Sequence, residues 1–355
     1  MMKAAGVTNE EEYRALACRG GGETVVERRP LRRPGAGEVL VSLRACGLCG
    51  TDVFKLEAGD QPPGTVLGHE VVAMVDECGA GVGSFSPGDR VVVAHHVPCG
   101  ECAYCLGGSE TMCEGFRENR LEPGGFSEKI LIAAEAVSSA MRIIPDTLSD
   151  DSAVFLEPAA CVLRGIRRSG IGPGAAAVIL GGGSMGLLHL LVLKAAIAGI
   201  RVGIVELLED RRELALALGA EFACGSGEAP DAVDTLTSGR GADAVFDTAG
   251  GPGALDACLD LGRRGSTVVL FAHAGAGEQP GFELDRLFRE ERRLIGSYSG
   301  GVKEQAAAWE LMLSGALDAS GLVSDRVNLE SFEEALELVR GRKALKVLIE
   351  PGRED

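Results

Sequence analysis

Hydrophobic and polar residues alternate along the first third of the chain and run in apolar blocks along much of the rest, so two architectures are expected in one polypeptide. Residues 38–43 (EVLVSL) and 71–75 alternate with the period of half-buried strands, and 83–93 (GSFSPGDRVVV) reads as a turn entering another. The stretch 45–52, ACGLCGTD, reads as the turn between the first two strands. The first 90 residues are thus expected to form an irregular, mostly β domain whose loops sit on a rigid frame.

Beyond residue 150 the pattern changes. FLEPAACVLRGIRRSG reads as a helix entered through Pro158, a residue favoured in first turns. An apolar strand at 176–180, a glycine turn (GGGSMG) and an apolar helix at 187–198 follow, then a second strand at 201–205 and a second helix at 207–218. Strands at 244–247 and 267–271 flank a helix at 254–261. Strands alternating with helices predict a parallel, doubly wound sheet, giving an α/β protein overall. A helix at 331–339 and a strand at 344–349 (ALKVLI) precede a charged tail.

Length and composition narrow the function. A chain of 355 residues is expected to hold two domains. The 51 glycines and 4% aromatics suit tight turns and aliphatic strands. A net charge of -17 excludes a phosphate-backbone binder, so no nucleic-acid partner is expected. The first 17 residues lack the apolar run of a secretory signal. The longest apolar stretch, 175–200, is interrupted by three adjacent glycines, His189 and Lys194, so no membrane span is expected. Eleven cysteines, four of them within fifteen residues, suit metal ligation in a reducing compartment, which points to the cytoplasm.

The candidate chemistry begins with Cys49, His69 and Glu70, a thiolate, an imidazole and a carboxylate of the kinds that zinc prefers over harder cations. Cys99, Cys102, Cys105 and Cys113 can close a tetrahedron around a second Zn²⁺ with no open position, which makes that site structural. Glu157 stands at the start of a helix, where it could point into a cleft, and Cys161 lies four residues on along the same face. Gly181, Gly183 and Gly186 form GxGxxG between strand and helix, where a pyrophosphate can rest on the helix N-terminus. Glu206 ends the next strand, at the place where an acid accepts hydrogen bonds from the adenosine ribose and repels a 2′-phosphate. NAD is therefore favoured over NADP, although Arg211 and Arg212 stand close enough to receive a phosphate. An open zinc beside a nicotinamide implies hydride transfer from an alcohol, or to a carbonyl.

CGLCGTD, GHE, GDRVVV, CGECAYC with Cys113, GGFSE, LEPAACV, LGGGSMG and IGS follow one another as in the zinc-dependent medium-chain dehydrogenases/reductases, and the chain most resembles their polyol, sorbitol and threonine dehydrogenase branch. That resemblance implies a GroES-like, mostly β catalytic domain (1–155 and 300–355, with a zinc lobe at about 95–115) and a Rossmann cofactor domain (156–299). It implies two Zn²⁺ per chain, an alcohol or carbonyl substrate and a homodimer or homotetramer.

By the same resemblance Cys49 and His69 ligate the catalytic zinc, Glu70 is a ligand or exchangeable near ligand, and Glu157 falls where relatives carry a cysteine or glutamate. Cys46 is a competitor for the thiolate. Thr51 would pass on the substrate proton and Asp52 would orient His69. Ser184, Met185, Arg211, Thr248, Ala249, Gly250 and Lys346 would help hold the cofactor, although Lys346 also reads as a solvated strand end. Where many relatives have an outer proton-relay histidine, this chain has Phe54. His95 and His96 read as strand-end residues without a catalytic part, His189 as packed, and Lys55 as a solvated lysine. The alternatives kept open are a carbonyl reductase working in reverse or with NADP, and a non-catalytic dinucleotide-binding protein.

Overall fold

The computed structural model describes residues 11–273, 277, 279, 281 and 283–353. Residues 1–10 of the stretch read for a signal, and the last two of the charged tail, lie outside the described residues. The chain forms two compact units, one of residues 1–99, 114–154 and 323–355, the other of 100–113 and 155–322.

In the first unit the strand Val39–Gly47 is the hub. It pairs antiparallel with Glu70–Cys78 along its length, with Lys129–Ile132 over its first four residues, and with Lys346–Ile349 at its end. The main path of the sheet runs Val323–Val327, Lys346–Ile349, Val39–Gly47, Glu70–Cys78, Arg90–Ala94 and Met141–Ile143. Residues from opposite ends of the chain thus share one sheet. Val41, Val71, Val93, Phe126, Phe332 and Val347 are buried in its core, and the Phe126 and Phe332 rings lie 5.2 Å apart.

A hairpin and a helix of this unit are among the elements that the alternation does not show. Glu12–Gly20 and Glu23–Pro30 form a hairpin whose first strand buries four consecutive residues, Ala15 to Cys18, rather than every second one. The expected turn at 45–52 is instead a strand end followed by the helix Gly50–Ala58, which buries only Asp52, Val53 and Leu56. With two apolar anchors in nine residues, its stripe is too thin to register as helical periodicity.

The second unit is the expected parallel sheet, ordered Phe222–Cys224, Arg201–Val205, Ala176–Leu180, Ala242–Asp247, Gly262–Leu270 and Arg293–Gly296. Ala176–Leu180 is buried at every position, as expected of a strand covered on both faces. The strand order reverses between Ala176–Leu180 and Ala242–Asp247, and ligands of such sheets bind at that switch point. The helix Val302–Leu313 packs on Leu156–Ser169 within this unit, so the return to the first sheet begins at Val323 and not at about 300. Gly300 permits that approach, because a Cβ there would press on the backbone of Ala160.

His189 is packed, as expected. Its Nδ1 donates to the Met185 carbonyl at 2.7 Å, its ring stands edge-on to Phe271, and burial lowers its pKa to about 4. Among the described residues no helix is long and apolar enough to cross a membrane.

Candidate metal and cofactor sites

Antiparallel pairing sets Gly47 opposite Glu70, so Cys49, two residues beyond the first strand, and His69, one before the second, arrive at the same end of the sheet. The ligand atoms of Cys49, His69 and Glu70 all lie within 4.8 Å of one another. A thiolate, an imidazole and a carboxylate gathered so closely fit a zinc ion. Cys49 also caps the helix Gly50–Ala58.

Asp52, three residues into the motif, is wholly buried. Its Oδ2 accepts the Cys49 N–H at 3.1 Å, and its Oδ1 accepts the Gly68 N–H at 3.3 Å while lying 3.3 Å from His69 Nδ1. With Nδ1 so engaged, Nε2 is the ring atom left for a metal. Burial opposes a charge on His69, yet the Asp52 carboxylate and the Cys49 sulfur beside it hold the imidazole pKa well above its ordinary value. These are the electrostatics of a site that favours a cation.

The remaining ligand candidates fall elsewhere. Cys46 is fully buried, with Sγ 3.8 Å from the Gly47 carbonyl, and is not one of the gathered three. Glu157 belongs to the second unit, where Cys161 Sγ lies 3.3 Å from its Oε1. Thr51 follows Gly50 in the first turn of the helix, and Phe54 is 42% exposed one turn on.

Cys99, Cys102, Cys105 and Cys113 form the second cluster, their four sulfurs within 4.8 Å of one another. Between them lie only the short helix Ala103–Leu106 and the 3-10 turn Glu110–Met112, and Tyr104 and Leu106 face outward. So little apolar burial suits a lobe ordered by metal.

In the second unit the glycine turn fits a dinucleotide. Gly181 takes a φ of +96°, and a side chain at Gly186 would overlap the Gly181 carbonyl. The helix Ser184–Ala196 has no side-chain cap at its N-terminus, and Ser184 Oγ there is buried without a hydrogen-bond partner. Free N–H groups and an orphaned hydroxyl make a phosphate cradle. Glu206 is held in place by accepting the N–H groups of Gly182, Leu207 and Leu208 at 2.5, 2.6 and 2.9 Å. Arg211 Nη1 approaches to 3.5 Å of where a Gly183 side chain would begin. The turn Thr248, Ala249 and Gly250 is organised by a residue the sequence reading passed over. Asp247 accepts the N–H groups of Ala249 and Gly250, while Thr248 Oγ1 donates to the Leu180 carbonyl at 2.7 Å. An aspartate ahead of a glycine turn is the signal that could have found it.

Comparison with known proteins agrees with this geometry. Residues 35–143 match the alcohol dehydrogenase GroES-like domain, and residues 185–314 the zinc-binding dehydrogenase family. Sorbitol dehydrogenase of Bacillus subtilis (strain 168) is 29% identical over 365 residues, 98% of this chain and 99% of that one. The 2-dehydro-3-deoxy-L-galactonate 5-dehydrogenase of Pseudoalteromonas atlantica is 30% identical over 325 residues, 89% and 92% of the two chains. The chain belongs to the zinc-type medium-chain dehydrogenases/reductases. A solved structure described as a zinc-binding dehydrogenase from Sinorhizobium meliloti 1021 bound to NADP superposes with a TM-score of 0.85 at 29% identity, covering 96% of this chain and 100% of that one. The two units are accordingly a GroES-like domain and a Rossmann-like domain of an alcohol dehydrogenase.

Two residues of this dehydrogenase sit in surroundings that the sequence did not suggest. Lys346, expected at the cofactor or at a solvated strand end, is buried, with Nζ 2.8 and 2.7 Å from the two Glu70 carboxylate oxygens and 3.3 Å from the Leu48 carbonyl. Gly47 makes room for that pair, since a methyl group at position 47 would overlap the Glu70 carboxylate. Lys346→Met leaves Glu70 buried without its partner and is expected to cost about 3–5 kcal/mol of folding free energy. Urea titration reads the loss, and Glu70→Gln/Lys346→Met should recover most of it; an equal loss in the double variant rejects the pairing. His95 is the other case. Ala94 pairs with Glu70, so the next residue lands beside His69, with ring centroids 4.7 Å apart.

Proposed function

We propose that this alcohol dehydrogenase oxidises a secondary alcohol of the polyol class with NAD, using two zinc ions, one held by Cys49, His69 and Glu70 and one held by the four clustered cysteines. The observation that carries the reading is the Cys49–His69–Glu70 donor set with Asp52 fixed behind His69. When bound there, zinc supplies a Lewis acid that lowers a hydroxyl pKa from about 16 toward about 7. The chain's own groups do the rest. Asp52 keeps His69 in one tautomer, and Lys346 and Gly47 hold the Glu70 carboxylate at the edge of the site. Thr51, at the start of the helix, takes the substrate proton toward solvent; Phe54, one turn on, has no proton to relay. Sorbitol and galactonate-derived substrates appear in the names of the relatives, which supports a polyhydroxylated substrate.

The anchored Glu206 carboxylate supports NAD, because it would repel a 2′-phosphate at the ribose position. Arg211 beside Gly183 and the NADP-bound relative favour the second reading, in which NADP is accepted. Initial rates with sorbitol and each cofactor separate them. NAD is expected to show at least about tenfold higher kcat/KM, the scale of one like-charge contact removed, with the preference narrowing in Glu206→Ala. A higher kcat/KM with NADP overturns the cofactor assignment.

A further inference from the structure

In the Rossmann-like sheet the strand Ala176–Leu180 lies between Arg201–Val205 and Ala242–Asp247. The glycine turn that follows it therefore runs between the ends of its two neighbours, where Glu206 and Thr248 stand. The family resemblance implies that both touch the cofactor, yet most of their hydrogen-bonding capacity is turned toward the protein. Glu206 Oε1 accepts the Leu207 and Leu208 N–H groups, and Oε2 accepts the Gly182 N–H. An ionised carboxylate has about four acceptor positions, so about one is left for the two hydroxyls of a ribose.

The bond to Gly182 joins the exit of one strand to the exit of the next, and it needs a glycine there, because a Cβ at position 182 would stand 2.9 Å from Glu206 Cγ. Gly181 is tied to the same side, its N–H donating to the Val205 carbonyl at 2.9 Å. On the other side both Thr248 Oγ1 and the Thr248 N–H donate to the Leu180 carbonyl, at 2.7 and 3.0 Å. A Cβ at Gly181 would come within 2.9 Å of Thr248 Oγ1, and one at Gly186 within 3.1 Å. Arg212 also turns inward, with Nη1 donating to the Glu206 and Leu207 carbonyls at 3.1 and 2.8 Å. With the Gly181 and Gly182 N–H groups engaged, the donors that the turn offers to a pyrophosphate begin at Gly183, and their direction follows from how the two residues before them are held.

We infer that Glu206 and Thr248 are positioning residues that brace the glycine turn from its two sides, and that Glu206 governs pyrophosphate binding independently of any ribose hydroxyl. This rests on the dinucleotide reading above. A turn held in its binding shape spares the ligand the cost of ordering it. Loss of the Glu206 brace therefore weakens every ligand that brings a diphosphate to the turn, NAD and NADP alike, and the repulsion of a 2′-phosphate is a separate effect.

The test is calorimetry on the full chain with ADP and with 2′,3′-dideoxy-ADP, whose ribose has no hydroxyl for Glu206 to receive, for the native protein, Glu206→Ala and Thr248→Val. Glu206→Ala should weaken dideoxy-ADP about tenfold, the worth of one charge-assisted hydrogen bond, and ADP at least as much. The direction is informative, because removing a carboxylate near a diphosphate would by charge alone tighten binding. Thr248→Val, which keeps the shape and the N–H bond, should weaken both nucleotides by the same factor, about threefold. Stoichiometry should stay near one site per chain, whereas a variant that is merely part unfolded loses sites and keeps the affinity of the rest. Dideoxy-ADP affinity unchanged in Glu206→Ala while ADP weakens would overturn the proposal and leave the NAD reading intact. A loss of sites with no change in affinity would likewise overturn it. Failure of the native chain to bind ADP would overturn the dinucleotide reading and this proposal together.

Discussion

Cys49→Ser or His69→Ala should lower kcat/KM by about 10⁴-fold or more while NADH still binds. Shifting a hydroxyl pKa by about nine units is worth ~12 kcal/mol at 1.4 kcal/mol per unit, and losing even half of that exceeds four decades in rate. Serine is a harder and less acidic ligand than a thiol, and alanine offers none, so neither variant keeps the donor set of Cys49, His69 and Glu70. The measurement has three parts. Rates should collapse, elemental analysis should fall from two zinc ions per chain to one, and fluorescence titration should show NADH affinity within about threefold of the native chain, because the glycine turn and Glu206 are untouched. Native rates in either variant would refute the assignment of the catalytic ligands.

Cys113→Ser is the second large effect. Cys113 is the buried member of its cluster, and a closed Cys₄ site contributes on the order of 10 kcal/mol to the order of its lobe. The residues around it supply little replacement, since the lobe exposes Tyr104 and Leu106. The damage should spread, because the Glu110 carboxylate packs so closely on Gly301 that a side chain there would collide with it, and Gly301 begins the helix Val302–Leu313. Limited proteolysis should cut the variant between residues 99 and 119 where the native chain resists, with one zinc ion lost and the thermal midpoint lowered. A variant that loses the zinc and still resists cleavage would show that the lobe holds itself.

What could be read from the sequence follows from how local the information is. The four cysteines and the GxGxxG turn are complete within short windows, and the alternation of strands and helices after Ala176 was legible except for the strand Phe222–Cys224 and the helix Ala229–Thr237, which the sequence reading passed over. The GroES-like unit was less legible, because its hairpin strand Glu12–Gly20 buries consecutive residues and its helix Gly50–Ala58 has only two apolar anchors. Relations that need sheet register could not be read at all. The pairing of Ala94 with Glu70 places His95 against His69, and the pairing of Lys346–Ile349 with Val39–Gly47 brings Lys346 to Glu70.

That last strand carries a consequence for the order of biosynthesis. Glu70 is made early, but the cation that balances it arrives some 276 residues later, and the strand Lys346–Ile349 can join the sheet only after residue 349 has left the ribosome. A nascent chain therefore carries a bare acidic side chain beside Cys49 and His69 until residue 349 has emerged, and an ion bound there would reach its final surroundings only after that strand has joined the sheet.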